Sequence, residues 1–180
     1  YGNSFPMLLR AYDDYRPALY VYFVIPFVKA FGLSVLSVRL PSVIFSILTV
    51  LATYFLVKEM FRKQKIINSE HLALFSSFLL AISPWHIYIS RLGHEVNLGL
   101  SFFIFALLLF LKKRIYLSAF FFLLSFISYQ SEKIFIPIML LGIFLIFKEE
   151  IISMRKKIII AAVLSLIILV PFLKVSLSQD

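Results

Sequence analysis

The sequence predicts an all-α, polytopic membrane protein, and two observations lead to that prediction. Of the 180 residues, 62% are hydrophobic and only 15% are charged, and the mean hydropathy is +0.98. Soluble domains are about 45–50% apolar and roughly 25% charged. Long apolar runs also alternate with short basic clusters, as in transmembrane helices joined by loops. We therefore expect a multi-pass protein of the cell membrane.

The net charge of +9 is interpreted as a marker of membrane orientation. Lys and Arg are enriched in cytoplasmic loops of membrane proteins, so this charge does not indicate nucleic-acid binding. The chain has no cysteine, which excludes disulfides and thiolate metal sites. It also contains no phosphate-binding glycine loop, HExxH, GxSxG or kinase signature. We expect no nucleic-acid partner and no soluble-enzyme mechanism of those types.

Residues 1–39 are predicted to form an extracytoplasmic loop that ends in an interfacial helix. Tyr1–Pro17 is polar and contains several turn-forming residues. The apolar run Ala18–Phe31 is interrupted by Pro26, carries Lys29, and is shorter than the ~20 residues that a span requires. We place this run in the membrane interface, with a membrane crossing as the alternative.

Residues 40–180 are predicted to form a transmembrane bundle of about six spans, as part of one larger domain. Each predicted span is an apolar run bounded by charged or polar residues. The six runs are Leu40–Val57, His71–Ile89, Val96–Leu111, Ile115–Tyr129, Ile134–Phe147 and Ile158–Leu173.

The basic residues predict how the bundle is oriented. Eleven of the 18 Lys and Arg residues fall in three clusters, around Lys58–Lys65, Lys112–Arg114 and Lys148–Lys157. These clusters are assigned to the cytoplasmic side by the positive-inside bias. The polar stretch Ser83–Asn97 and the loop near Glu132 then lie on the extracytoplasmic side.

The stretch Ser83–Asn97 gathers Arg91, His94 and Glu95 between two apolar runs. One interpretation is a hydrophilic turn in which Arg91 pairs with Glu95 at i,i+4 helical spacing. His94 and Glu95 are also candidates for a divalent-metal site, but they supply two ligands where zinc usually has at least three from the protein. The sequence therefore leaves the cofactor unidentified, with a divalent metal ion as a candidate.

A series of short motifs resembles the GT-C membrane glycosyltransferases, and more narrowly their protein O-mannosyltransferase and lipid A aminoarabinose transferase branch. The motifs are Tyr12–Tyr22, Phe31–Gly32, Val38–Ser42, Ile82–His86 with Ser90–Arg91, Ser128–Gln130 and Phe135–Pro137. The resemblance implies a GT-C helix bundle that transfers a sugar, with inversion, from a polyprenyl-phosphate donor on the extracytoplasmic face. It also implies that the chain is a fragment lacking the family's first transmembrane helix.

The candidate site residues combine that resemblance with the chemistry of the transfer. A carboxylate is needed to take the acceptor's proton, and cations are needed to stabilise the departing phosphate. In the resemblance, Glu95 and the Asp13-Asp14 pair occupy acidic positions of the family, and Lys133 stands where an arginine is common. Asp13 and Asp14 also fit a solvated turn. The predicted assignments are Asp13, Asp14 and Glu95 as catalytic groups, Arg16, Arg91 and Lys133 as phosphate ligands, and His94 as a candidate metal or acceptor contact.

The expected partners are a polyprenyl-phosphate sugar donor, membrane lipids, and a protein, lipid or glycan acceptor. A secondary transporter or flippase is the alternative function. Transporters more often place ionisable groups inside their spans, whereas the centres of these apolar runs carry almost no charge. A membrane scaffold without activity is the third interpretation.

Overall fold

The structure is a computed structural model that describes residues 6–11, 14–64 and 68–177. This part of the chain is mostly helical and begins with a two-stranded antiparallel sheet. The strands are β1 (Leu8–Ala11) and β2 (Asp14–Pro17). The helices are α1 (Leu19–Phe31), α2 (Val35–Met60), α3 (Ser69–Ile82), α4 (Pro84–Leu92), α5 (Glu95–Leu111), α6 (Ile115–Phe126), α7 (Glu132–Ile146), α8 (Lys148–Ser153) and α9 (Arg155–Leu177).

The β-hairpin is a departure from the all-α prediction, which placed a polar loop here. Its register pairs Leu8 with Pro17 and Ala11 with Asp14. The backbone N–H of Ala18 donates to the Met7 carbonyl at 3.0 Å, just beyond the paired residues. Pairing of the two strands satisfies backbone N–H and C=O groups that water would otherwise hydrogen-bond in a loop. The paired strands also fix the direction in which the chain enters α1.

The helix α2 is longer than the predicted span Leu40–Val57, because it begins at Val35 and ends at Met60. Ser34 caps it by accepting a hydrogen bond from the Ser37 N–H at 3.2 Å. Pro41 lies inside the helix, and the predicted domain boundary between residues 39 and 40 falls within it. At 26 residues, α2 is the one described helix that is long and apolar enough to cross a membrane alone.

The predicted span His71–Ile89 is two helices in the structure. The helices α3 and α4 meet at Ser83-Pro84 with a bend of 57°, and together they are long and apolar enough for a second crossing. Ser83 is extended, and Pro84 occupies the first position of α4. Proline disfavours a helical conformation in the residue before it but is well suited to begin a helix. The described residues thus contain one or two spans by length and composition, and the six-span bundle stays a prediction.

Small polar side chains join α5 to α2 and fix their relative position. Asn97 is buried, and its Nδ2 donates to the Ser42 carbonyl at 2.7 Å and to the hydroxyl of Ser46 at 2.8 Å. One turn further on, the hydroxyls of Thr49 and Ser101 are 2.6 Å apart. Small and hydroxyl-bearing residues let apolar helices approach closely and hydrogen-bond across their interface. The α2–α5 pair is therefore the rigid frame on which the N-terminus of α5 is held.

Candidate functional site

The polar turn between α4 and α5 places Glu95 at the first position of α5. Gly93 ends α4 in the left-handed region with φ of 68°, which favours glycine. A Cβ at Gly93 would also stand 3.2 Å from the Tyr20 hydroxyl and 3.3 Å from the Val38 carbonyl. Tyr20 donates to that carbonyl at 2.8 Å. The turn is thus packed directly against α1 and α2, which fixes where α5 begins.

The carboxylate of Glu95 lies between the α5 backbone and the β-hairpin. Its side chain is only 14% exposed, and Oε1 is 4.0 Å from Nη1 of Arg16 on β2. Arg16 is itself 51% exposed, so its guanidinium also faces solvent. Free N–H groups at a helix N-terminus favour a negative charge there. The site therefore has a sheltered carboxylate with a cation at its open side.

His94 caps α5 and contacts the same carboxylate. Its Nδ1 accepts a hydrogen bond from the Val96 N–H at 3.3 Å and is 3.8 Å from Oε2 of Glu95. Because Nδ1 accepts, a neutral His94 carries its proton on Nε2. The ring also meets Tyr129 edge to face, with centroids 5.7 Å apart. His94 and Glu95 are the adjacent pair available to a metal, and the described ranges contain no cluster of three or more ligating residues.

The other predicted site residues are placed as follows. Arg91 lies exposed in the last turn of α4 and makes no ion pair among the described residues. The i,i+4 pair of Arg91 with Glu95 is therefore not formed, because α4 ends at Gly93 and a new helix begins at Glu95. Lys133 Nζ lies 5.4 Å from the ring centroid of Phe172 on α9. Asp14 opens β2, and Asp13 lies outside the described residues.

A family model described as dolichyl-phosphate-mannose-protein mannosyltransferase matches residues 15–174. The match includes Arg16, His94, Glu95 and Lys133, and it covers most of the chain. The chain belongs to this family. It is therefore a glycosyltransferase of the mannosyltransferase type, and the resemblance to GT-C transferases is confirmed. No curated protein and no solved structure gives a match.

The structure of this mannosyltransferase-family chain also shows a carboxylate that the sequence did not single out for the site. Glu132 is the first residue of α7, and its Oε2 is 3.5 Å from the Ser125 hydroxyl. Its Oε1 is 3.0 Å from the point where a Cβ of Gly99 would stand. Burial away from water raises the pKa of the Glu132 carboxyl, and the Ser125 hydrogen bond opposes that rise.

Glu132 lies against Gly99 of α5, which is the helix that also carries Glu95. Gly99 follows Glu95 by four residues, which places the two positions on one face of α5 about 6 Å apart along its axis. Glycine at position 99 leaves room for the Glu132 carboxylate against the helix backbone. A glycine inside an apolar run, one helical turn after a carboxylate, is the sequence feature that indicates this arrangement. The site thus has two partly buried acidic groups.

A hydrogen bond connects the α6–α7 loop to the hairpin. Gln130 Nε2 donates to the Tyr15 carbonyl at 2.8 Å. Together with the Arg16–Glu95 contact, this bond draws three segments to one end of the bundle: the hairpin, the α4–α5 turn and the α6–α7 loop. These segments are distant in sequence, so the site depends on the tertiary fold. It offers carboxylates to accept a proton and a guanidinium to bind an anion.

Proposed function

We propose that this chain carries active-site residues of an enzyme that transfers a sugar from a polyprenyl-phosphate donor to a protein, lipid or glycan acceptor. The supporting observation is the sheltered Glu95 carboxylate, with Arg16 at 4.0 Å, inside a chain of the mannosyltransferase family. The reaction takes place on the extracytoplasmic face of the cell membrane, with inversion at the anomeric carbon.

Glu95 is the proposed proton acceptor. The acceptor hydroxyl gives its proton to the carboxylate as its oxygen forms a bond to the anomeric carbon. The bond between that carbon and the phosphate oxygen breaks, and its electron pair leaves with the phosphate. Attack from the side opposite to the phosphate inverts the configuration. Proton transfer to a positioned side chain typically contributes 10²–10⁴-fold to such a reaction.

Arg16 is the proposed ligand of the departing phosphate. Its half-exposed guanidinium lies beside Glu95 on the hairpin, and arginine binds two phosphate oxygens at once. Arg91, Lys133, Asp13 and Asp14 belong to the same extracytoplasmic face in this proposal, and His94 contacts the acceptor or a divalent metal ion. Arg91 is exposed at the end of α4, where a lipid-borne phosphate approaches from the membrane surface.

The experiment measures transfer of a labelled sugar from a polyprenyl-phosphate donor by the purified full-length protein, with variant amounts matched. Glu95→Gln keeps the size of the side chain and removes its charge, so we expect at least a hundredfold loss of rate. Glu70→Gln is the matched control, because Glu70 is 59% exposed and pairs with Lys58. If the Glu95→Gln variant transferred sugar at the parental rate, Glu95 would not be the proton acceptor.

The arginine is tested separately in the same assay. Arg16→Ala is expected to reduce transfer on the order of a hundredfold, and Arg16→Lys is expected to restore part of it, because lysine supplies charge without the planar fork. Arg155→Ala is the control, since Arg155 begins α9 and is exposed. Equal rates for Arg16→Ala and Arg155→Ala would contradict the phosphate role.

A further inference from the structure

A cavity with charged side chains in its wall lies at the other end of the bundle from Glu95. It has a volume of about 360 Å³ and is formed by the ends of α2, α5 and α7 together with α8. This volume is within the range of about 300–1,000 Å³ that is typical of ligand sites. The α5 residues in its wall, Phe110 and Leu111, are about 24 Å from Glu95 at 1.5 Å per residue. The cavity is therefore separate from the candidate transferase site.

The charged side chains in the wall of this cavity are of both signs. Arg62 and Glu59 form an ion pair with each other at 3.3 Å. Lys63, Lys113 and Glu150 also line the cavity, and none of them has an ion-pair partner among the described residues. These three residues are exposed, so their charges are free to bind a ligand that carries an anionic group for the two lysines and a cationic group for the carboxylate.

The rest of the wall is apolar. It includes Phe110, Leu111, Phe147 and Met154, which lie where the apolar helices end. Charged groups beside an apolar wall match a molecule with a charged head and a hydrocarbon body. Basic pockets between transmembrane helices at the cytoplasmic side are known to bind lipid head groups. The basic clusters that predict the cytoplasmic side are those around this cavity.

We propose that this cavity binds a glycerophospholipid whose head group carries both a phosphate and a primary amine. Lys63 and Lys113 bind the phosphate, Glu150 accepts from the ammonium group, and the acyl chains lie along Phe110 and Phe147. The inference goes beyond sugar transfer, and it places a structural or regulatory lipid in the leaflet opposite to the active site.

The phosphate contact is tested by titrating the full-length protein in detergent with fluorescent phosphatidylethanolamine. The double variant Lys63→Ala/Lys113→Ala is expected to bind on the order of 30-fold more weakly. The matched control is Lys156→Ala/Lys157→Ala, which removes two exposed positive charges that do not line the cavity. If both double variants lost the same affinity for the lipid, the lysines would act only through general attraction of the lipid to a basic surface, and the proposed site would be overturned.

The amine contact is tested by comparing phosphatidylethanolamine with phosphatidylglycerol and phosphatidylcholine. We expect phosphatidylethanolamine to bind about fivefold more tightly than either, and Glu150→Gln to remove this preference. Glu149→Gln is the control, because Glu149 is the neighbouring exposed carboxylate and does not line the cavity. Loss of the preference in both variants, or its absence in the parent, would overturn the head-group assignment.

Competition by inorganic phosphate distinguishes a lipid from a free anion. If the acyl chains contribute to binding, millimolar phosphate leaves the lipid bound. Displacement of the lipid by phosphate alone would show a simple anion site and overturn the proposal. Each titration measures binding and not sugar transfer, so its outcome is independent of the Glu95 and Arg16 experiments.

Discussion

Replacing Gly99 with alanine tests whether the Glu132 carboxylate is held against α5. The new methyl group would stand 3.0 Å from Oε1, 3.2 Å from Cγ and 3.4 Å from Cδ of Glu132. Three contacts this close require the Glu132 side chain to move, and overpacking of this kind typically costs about 1–3 kcal/mol. Alanine also gains about 1 kcal/mol over glycine in a helix interior. The expected net effect of Gly99→Ala is a loss of about 0–2 kcal/mol of unfolding free energy.

The double variant separates these two contributions. In a Glu132→Ala background the crowding is absent, so Gly99→Ala should stabilise the protein by about 1 kcal/mol. The coupling free energy between the two positions is then about 1–3 kcal/mol, well above the additive behaviour of independent sites. The assay is reversible unfolding of the four proteins in one detergent. Stabilisation of the parent by Gly99→Ala, or a coupling below about 0.5 kcal/mol, would show that Glu132 does not rest on α5.

Three other predictions concern the stability of the fold and its orientation in the membrane. Asn97→Ala should lower the unfolding free energy by about 1–2 kcal/mol, as measured by denaturation in detergent, because it removes interhelical hydrogen bonds of a buried amide. The raised pKa of Glu132 means that the folded state holds its proton more tightly than the unfolded state, so stability decreases as the pH rises from the ordinary carboxyl pKa through the raised one. Glu132→Gln should flatten that part of a pH series of unfolding curves, and an unchanged slope would contradict it. Reporter fusions at Lys113 and Lys156 should read cytoplasmic and one at Gly93 external, and an external Lys113 would refute the orientation.

The sequence predicted the helices best where charges or polar residues bound an apolar run. The predicted span Val96–Leu111 is α5, Glu95–Leu111, with a one-residue difference at its start. That start depends on a His94 cap, which is less readily recognised than a serine or aspartate. The break at Pro84 was missed because proline is compatible with a spanning helix, so hydropathy alone does not reveal a 57° bend.

The candidate site was only partly predictable, because its contacts connect distant parts of the chain. Glu95 was identified from its neighbours, but its cation is Arg16, 79 positions away, and not Arg91 at helical spacing. Local spacing favoured Arg91, whereas the hairpin that carries Arg16 depends on pairing that the polar loop pattern did not indicate. Glu132 was missed for a similar reason, since its burial arises from the absent side chain of Gly99 on another helix.

The hydrogen-bonded interface between α2 and α5 and the exposed contact of the hairpin hold the two sides of the site in different ways. Turning α5 by one residue rotates Asn97 by about 100° and separates it from Ser42 and Ser46. The position of Glu95, two residues earlier on the same helix, is therefore set by these buried hydrogen bonds together with the packed α4–α5 turn. The hairpin, by contrast, reaches Glu95 through the 4.0 Å contact of a half-exposed arginine. A ligand that displaces the Arg16 guanidinium would therefore leave the hydrogen bonds between α2 and α5 intact.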